Sequence, residues 1–145
     1  MKLKDESATL GFGRKLAGAL RPGDVITLSG PLSAGKTTLV RGLLGALGHR
    51  GEVPSPSFAI VQPYEALGLP VWHVDLYRIE SFSELEELGL EDIREEGALI
   101  VEWPEHAGAG AWPEALALSI NVMDDDVRAL TAKVPASWEE RWPLK

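Results

Sequence analysis

The 145-residue sequence predicts a three-layer α/β domain in which helices flank a mixed β-sheet. Three observations carry that expectation. Residues 98–101 are an uninterrupted apolar run, the mark of a strand covered on both faces, and Val25-Ile26-Thr27-Leu28 reads as a short, largely buried strand. Between them, Leu39, Val40, Leu43, Leu44 and Leu47 recur at helical spacing. Two further pairs of strand-like runs have connections too short for a crossover helix, so each pairs as an antiparallel hairpin and makes the sheet mixed.

Taken in order, Asp5 or Ser7 is placed to cap a first helix with Leu10, Gly13, Leu16, Ala17 and Leu20 on one face. Arg21-Pro22-Gly23-Asp24 is a turn leading into the strand at 25–28. The helix that follows the next loop stops at Gly48. Residues 58–61 and 71–76 read as strands joined through Pro63 and Gly68-Leu69-Pro70. Ser81-x-x-Glu84 is a capping box that opens a short acidic helix over 81–88. After the strand at 98–101, residues 116–122 and 127–134 alternate and form a second hairpin around Asp124-Asp125-Asp126. With no repeat and no long linker, residues 1–145 read as a single domain.

Composition narrows the functional classes. Apolar residues make up 45% and charged residues 25%, the balance of a soluble globular protein. No run approaches the ~20 apolar residues of a membrane span. No apolar stretch follows the basic residues of Met1-Lys2-Leu3-Lys4-Asp5-Glu6, so no secretory signal and a cytoplasmic location are expected. The absence of cysteine excludes disulfides and thiolate metal sites. The net charge of −8 is uneven: residues 1–72 carry +3 and residues 73–145 carry −11. An acidic half opposes direct grip on nucleic acid, which needs basic groups to displace counterions, and suits a basic surface on a partner protein.

The strongest chemical signal is Gly30-Pro31-Leu32-Ser33-Ala34-Gly35-Lys36-Thr37, a full match to G-x-x-x-x-G-K-[ST] between a strand and a helix. It makes the expected domain P-loop NTPase-like. Glycines let the backbone curl so that successive N–H groups face a phosphate, and the helix that follows adds its positive end. Lys36 is expected to reach the β- and γ-phosphates, Thr37 to offer its hydroxyl to Mg²⁺, and Thr38 to bond the α-phosphate. A lysine at a helix N-terminus is electrostatically misplaced unless an anion joins it.

Hydrolysis also needs a carboxylate near the metal, at the end of a neighbouring strand. Asp75 and Glu102 both end apolar strands. Glu102 follows the more uniformly apolar run, so it is expected beside the P-loop strand and in contact with Mg²⁺. Asp75 would lie farther from the metal or orient the attacking water. His73 alternates with Trp72 and Val74, faces the opposite side, and reads as structural rather than catalytic. Trp103 is placed either to approach a nucleotide base or to pack under the sheet edge.

These motifs together resemble the TsaE (YjeE) family. The P-loop is followed by Ser55-Pro56-Ser57-Phe58, His73-Val74-Asp75-Leu76-Tyr77-Arg78, Glu86-Glu87-Leu88-Gly89-Leu90 and Val101-Glu102-Trp103-Pro104-Glu105, in the family's order and spacing. The resemblance runs from Glu6 to about Arg128. Pro31 and Ser33 depart from the family's usual loop, at positions the motif leaves unrestricted. The resemblance implies an ATPase needed for threonylcarbamoyl modification of adenosine in tRNAs reading codons that begin with A. It implies ATP or ADP and Mg²⁺ as ligands, a TsaD–TsaB pair as partner, and tRNA only through that complex. It also implies nucleotide contacts from Thr9, Gly30, Ser33, Ala34, Gly35, Lys36, Thr37, Thr38 and Arg128, metal contacts from Thr37 and Glu102, and a need for Asp75. Ser55-Pro56-Ser57-Phe58 would sense the nucleotide.

The competing expectation is a small P-loop kinase acting on a metabolite. Such enzymes close an Arg-bearing lid over the phosphates. After Arg50 the chain has only Arg78, Arg94, Arg128 and Arg141, which are not clustered.

Overall fold

The computed structural model describes residues 1–31, 34–54, 61–65, 68–108, 111–124 and 127–144. Its centre is a seven-stranded sheet in the order β1-β7-β6-β2-β5-β4-β3. Here β1 is Lys2–Leu3, β2 Val25–Ser29, β3 Val61–Tyr64, β4 Val71–Asp75, β5 Ala98–Glu102, β6 Leu116–Asp124 and β7 Val127–Lys133. The strands β6, β2, β5 and β4 run parallel, while β1, β7 and β3 pair antiparallel at the edges. The expected mixed α/β architecture and both hairpins are present.

The helix α1 (Glu6–Ala19) begins where Asp5 accepts the Ala8 N–H at 2.8 Å, and α2 (Lys36–Ala46) leaves the phosphate-type loop. Both lie on one face of the sheet. Phe12, Leu16, Leu39 and Leu43 there meet Ile26, Leu28 and Ile100 from the strands. The other face buries Val25, Trp72, Val74, Leu99 and Val101 under Leu90 of α4 (Leu90–Arg94), with α3 (Phe82–Glu87) just before it. Neighbouring residues 25 and 26, or 71 and 72, therefore belong to opposite cores, as strand alternation demands. Ser81 caps α3 by accepting the Glu84 N–H, as its sequence indicates.

Two glycines bring α1 and α2 together. A Cβ on Gly13 would stand 2.1 Å from the Leu39 carbonyl oxygen, and one on Gly42 would stand 2.2 Å from that of Leu10. The helix backbones meet where neither helix has a side chain to hold them apart.

Several expectations shift. Pro63 lies within β3, opposite Trp72, rather than in the linker. Proline's missing donor is harmless there because, among the described residues, β3 is the edge of the sheet. Residues 58–60 of the expected strand lie outside the described residues. The buried face of α1 uses Thr9 and Phe12 with Gly13, Leu16 and Ala17, whereas Leu10 and Leu20 are half-buried. The short helix α4 and the segment after β7 had no signal in the periodicity. In that segment a 3-10 helix, Ala136–Arg141, sinks Trp138 completely into the first core. Arg141 then grips Asp24 through both carboxylate oxygens at 2.6 and 3.1 Å. Among the described residues no helix is long and apolar enough to cross a membrane.

Candidate functional site

The loop after β2 is shaped by two glycines. Gly30 has φ +142°, and a Cβ on it would stand 2.1 Å from the Ile120 carbonyl oxygen of β6. Any larger residue would push the loop off the sheet. Gly35 has φ +106° and forms the N-cap of α2 with no side-chain cap of its own. The first-turn N–H groups at Lys36, Thr37 and Thr38 have no partner within the helix, as at every helix start. With the dipole behind them, such groups can receive an anion. Leu32 and Ser33 lie outside the described residues.

Lys36 is 5% exposed, an unusual burial for a lysine. Its ammonium donates to the Gly30 carbonyl at 2.8 Å, lies 3.9 Å from Glu102 Oε1, and sits 4.2 Å from the centroid of the Trp103 ring. The lysine is thus folded back on its own loop, held by a dipole, a carboxylate and a π-face.

Glu102 ends β5 and stands in register with Leu28 of β2 on one side and Asp75 of β4 on the other. The sheet order thereby sets Glu102 beside the strand that leads into the loop and Asp75 one strand farther, the order the sequence suggests. Both are buried, at 4% and 3% exposure. Asp75 accepts the Tyr77 N–H at 2.8 Å, which pins the turn after β4. The second oxygen of Glu102 meets His73 Nε2 at 2.5 Å. His73, read from the sequence as structural, is completely buried and joins this cluster. Its alternation with Trp72 and Val74 put it on the correct face, but its partner is 29 residues away and left no local trace.

Thr9 and Arg128 approach the loop from opposite elements. A Cβ on Gly35 would find the Thr9 methyl at 3.9 Å and Arg128 Nε at 4.0 Å. Arg128 donates from Nε to the Ala34 carbonyl at 2.9 Å, which ties β7 to the loop. Thr9 is buried, and its hydroxyl donates to the Asp5 carbonyl. Thr37 and Thr38 are half-buried in the first turn of α2. Of the expected site residues, the structure gathers Thr9, Gly30, Ala34, Gly35, Lys36, Thr37, Glu102, Trp103 and Arg128 about one loop, with Thr38 next in the helix and Asp75 one strand beyond Glu102. Ser33 and Ser55-Pro56-Ser57-Phe58 fall outside the described residues.

Trp103 has φ +58°, the one positive-φ non-glycine among the described residues. A bulky side chain there is an outlier of the kind found where structure serves a site. The turn it makes leads into a 3-10 helix, Pro104–Ala107, and lays the indole over Lys36. Tyr77 and His106 pack against that indole, with centroids at 5.0 and 5.8 Å. His106 is anchored through Nδ1 to the Leu76 carbonyl at 2.8 Å. Tyr77 remains half exposed, so the three rings form an aromatic ledge beside the buried ammonium. Only Trp103 of the three was singled out in the sequence. Tyr77 lies two residues beyond Asp75, and its signal was its place in the His73-Val74-Asp75-Leu76-Tyr77-Arg78 segment that carries the family resemblance.

The comparisons with known proteins agree with one another. The family profile described as threonylcarbamoyl adenosine biosynthesis protein TsaE matches residues 3–130. The tRNA threonylcarbamoyladenosine biosynthesis protein TsaE of Streptomyces coelicolor is 42% identical, over 90% of this chain and 91% of its own. That of Haemophilus influenzae is 38% identical, over 85% of this chain and 82% of its own. The crystal structure of Bacillus subtilis YdiB superposes with a TM-score of 0.81 at 30% identity, covering 97% of this chain and 87% of that one.

Proposed function

Because the chain belongs to the TsaE family of threonylcarbamoyl adenosine biosynthesis proteins, we propose that it is a slow, Mg²⁺-dependent ATP hydrolase serving the threonylcarbamoyl modification of adenosine in tRNA. The tRNAs concerned are those reading codons that begin with A. One observation carries the ATPase reading. A buried lysine, a buried strand-end carboxylate and an uncapped helix start converge on one glycine-shaped loop, with a second buried carboxylate on the next strand.

The chemistry follows from that convergence. Backbone N–H groups of the α2 start hold the phosphates, and Lys36 turns from the Gly30 carbonyl toward the transferred phosphoryl group. Arg128 and Thr9 brace the loop from β7 and α1. The residues fit a Mg²⁺ ion: Glu102 and Asp75 outnumber Lys36 in charge, and Thr37 adds a hydroxyl in the adjoining helix turn. Mg²⁺ is held by one or two such ligands together with phosphate oxygens and water, and it neutralises the charge that develops on the phosphates. Glu102 would hold the ion, and Asp75 would orient the attacking water.

A TsaD–TsaB-like pair is the proposed partner, with tRNA engaged only through it. Residues 80–96 carry eight acids against the single Arg94. Beside them lies a groove of about 520 Å³ floored by Leu85, Leu90 and Trp112 and rimmed by Glu86, Glu91 and Asp92. An apolar floor with an acidic rim suits a basic partner surface. The test is phosphate release from Mg-ATP by the protein alone, by the partner pair and by the mixture. Slow release alone and faster release in the mixture is the expected result. Release unchanged by the partners, together with a phosphorylated metabolite, would replace this reading with the kinase.

A further inference from the structure

The proposed chemistry leaves the most deeply buried polar group of the site without a task. His73 has no exposed surface, and its imidazole is hydrogen-bonded to Glu102. We propose that His73 is a positioning residue: it donates from Nε2 to Oε2 of Glu102 and so turns Oε1 toward Lys36 and the cation position. The inference rests on the proposed role of Glu102 in holding Mg²⁺.

Register makes the contact directional. Asp75 lies opposite Glu102 across β4 and β5, whereas His73 lies opposite Ile100. Glu102, although it ends its strand, therefore reaches back diagonally along the sheet to His73. A glutamate at a strand end has three rotatable side-chain bonds and ordinarily samples many positions. Here one oxygen is tethered by the imidazole, and the other stands 3.9 Å from the Lys36 ammonium. Each oxygen has one assignment, and the rotamer is set before any ligand arrives.

The tautomer follows from what surrounds the ring. A carboxylate accepts and cannot donate, so the proton of the 2.5 Å contact sits on Nε2. Nδ1 is buried with no partner among the described residues, as a bare lone pair can be. Burying an imidazole costs more than burying a leucine of similar volume, so packing alone gives no reason for histidine here. A hydrogen bond that orients a metal-binding carboxylate does.

Two substitutions separate the roles. His73→Gln places an amide nitrogen near the position of Nε2, whereas His73→Leu keeps the volume and removes the donor. Calorimetric titration with ADP over a Mg²⁺ series is the readout, alongside thermal melting. The leucine variant should need about tenfold more Mg²⁺ for the same binding, as loss of a ligand's supporting hydrogen bond usually does. Its ADP affinity in excess chelator should stay at the wild-type value, and glutamine should restore most of the Mg²⁺ response. If the leucine variant does not fold, His73→Asn, whose shorter amide stops short of Glu102, takes its place with the same expectation. A donor-free variant with a wild-type Mg²⁺ response, or equal loss in the glutamine variant, overturns the proposal. Wild-type protein whose ADP binding ignores Mg²⁺ overturns the proposed function and this inference together. A separate check needs no nucleotide: ¹⁵N NMR of the imidazole should find the proton on Nε2 and its signal moved in Glu102→Gln. An unprotonated Nε2 overturns the proposal on its own.

Discussion

In the proposed reaction, Lys36 is the residue on which nucleotide binding would turn. Its ammonium is buried against Gly30, Glu102 and Trp103. Lys36→Ala should abolish hydrolysis and weaken nucleotide binding. A charged hydrogen bond contributes about 1.5–3 kcal/mol, which is about ten- to hundred-fold in affinity. Fluorescence titration with a labelled ADP checks the binding loss, and unchanged far-UV dichroism shows that the fold persists. The two strand-end acids should part company under substitution. Glu102→Gln should weaken the Mg²⁺ dependence of ADP binding, because a neutral amide is a poorer ligand for a hard cation. Asp75→Asn should leave binding nearly intact and slow hydrolysis. Calorimetry and phosphate release on both variants decide it, and the reverse pattern would exchange their roles.

Among the elements, the pairing of α1 with α2 aims the loop. Gly13 and Gly42 let the two backbones touch, and Thr9 on α1 reaches Gly35 only because of that closeness. Gly42→Ala places a methyl group 2.2 Å from the Leu10 carbonyl oxygen, so the helices must part. Overpacking of this kind costs about 1–3 kcal/mol, and urea denaturation should register the loss. Nucleotide affinity should fall with it as Thr9 withdraws. Gly45, on the same helix with open space around its Cβ position, is the control: Gly45→Ala should be neutral or stabilising. A second expectation concerns residues 52–58, most of which lie outside the described residues. Pro54 and Pro56 limit this segment to a few extended forms, and Ser55 and Ser57 supply hydroxyls that a γ-phosphate would bond. Hydrogen exchange there should slow more with a non-hydrolysable ATP analogue than with ADP. Equal protection by both would make it a plain connector.

For the molecule as a whole, charge is the governing property. The −11 carried by residues 73–145 should keep the isolated protein from retaining tRNA, because counterion release needs a basic surface. Docking on the partner pair should weaken steeply with salt, as screening shortens the reach of the acidic rim to about 8–10 Å at moderate ionic strength. Glu86→Lys combined with Glu91→Lys should slow association several-fold and flatten its salt dependence, while hydrolysis by the isolated protein stays unchanged. Surface plasmon resonance against the partner pair at two salt concentrations reads both effects. An unaltered association rate would move the docking surface elsewhere.

Local spacing was sufficient for much of this protein. The largely apolar run of β2, the uninterrupted apolar run that opens β5, the helical period of α2 and the capping residues Asp5 and Ser81 are short-range signals, each complete within a few residues. The loop from Gly30 to Thr37 is equally local, since glycine conformations and a helix start define it. Even the acids at the ends of β4 and β5 were legible, because a strand's end marks where its side chain leaves the core. What remained hidden depends on contacts between distant parts of the chain. His73 meets Glu102 because β4 and β5 are sheet neighbours, and Trp103 covers Lys36 because of a left-handed turn that its own residue type disfavours. Trp138 returns to the first core from beyond residue 130, where the family match ends. Pro63 enters a strand only because that strand is the edge. Periodicity reports which way a side chain faces. The group it faces is set by the order in which the strands assemble, and the folded sheet decides that.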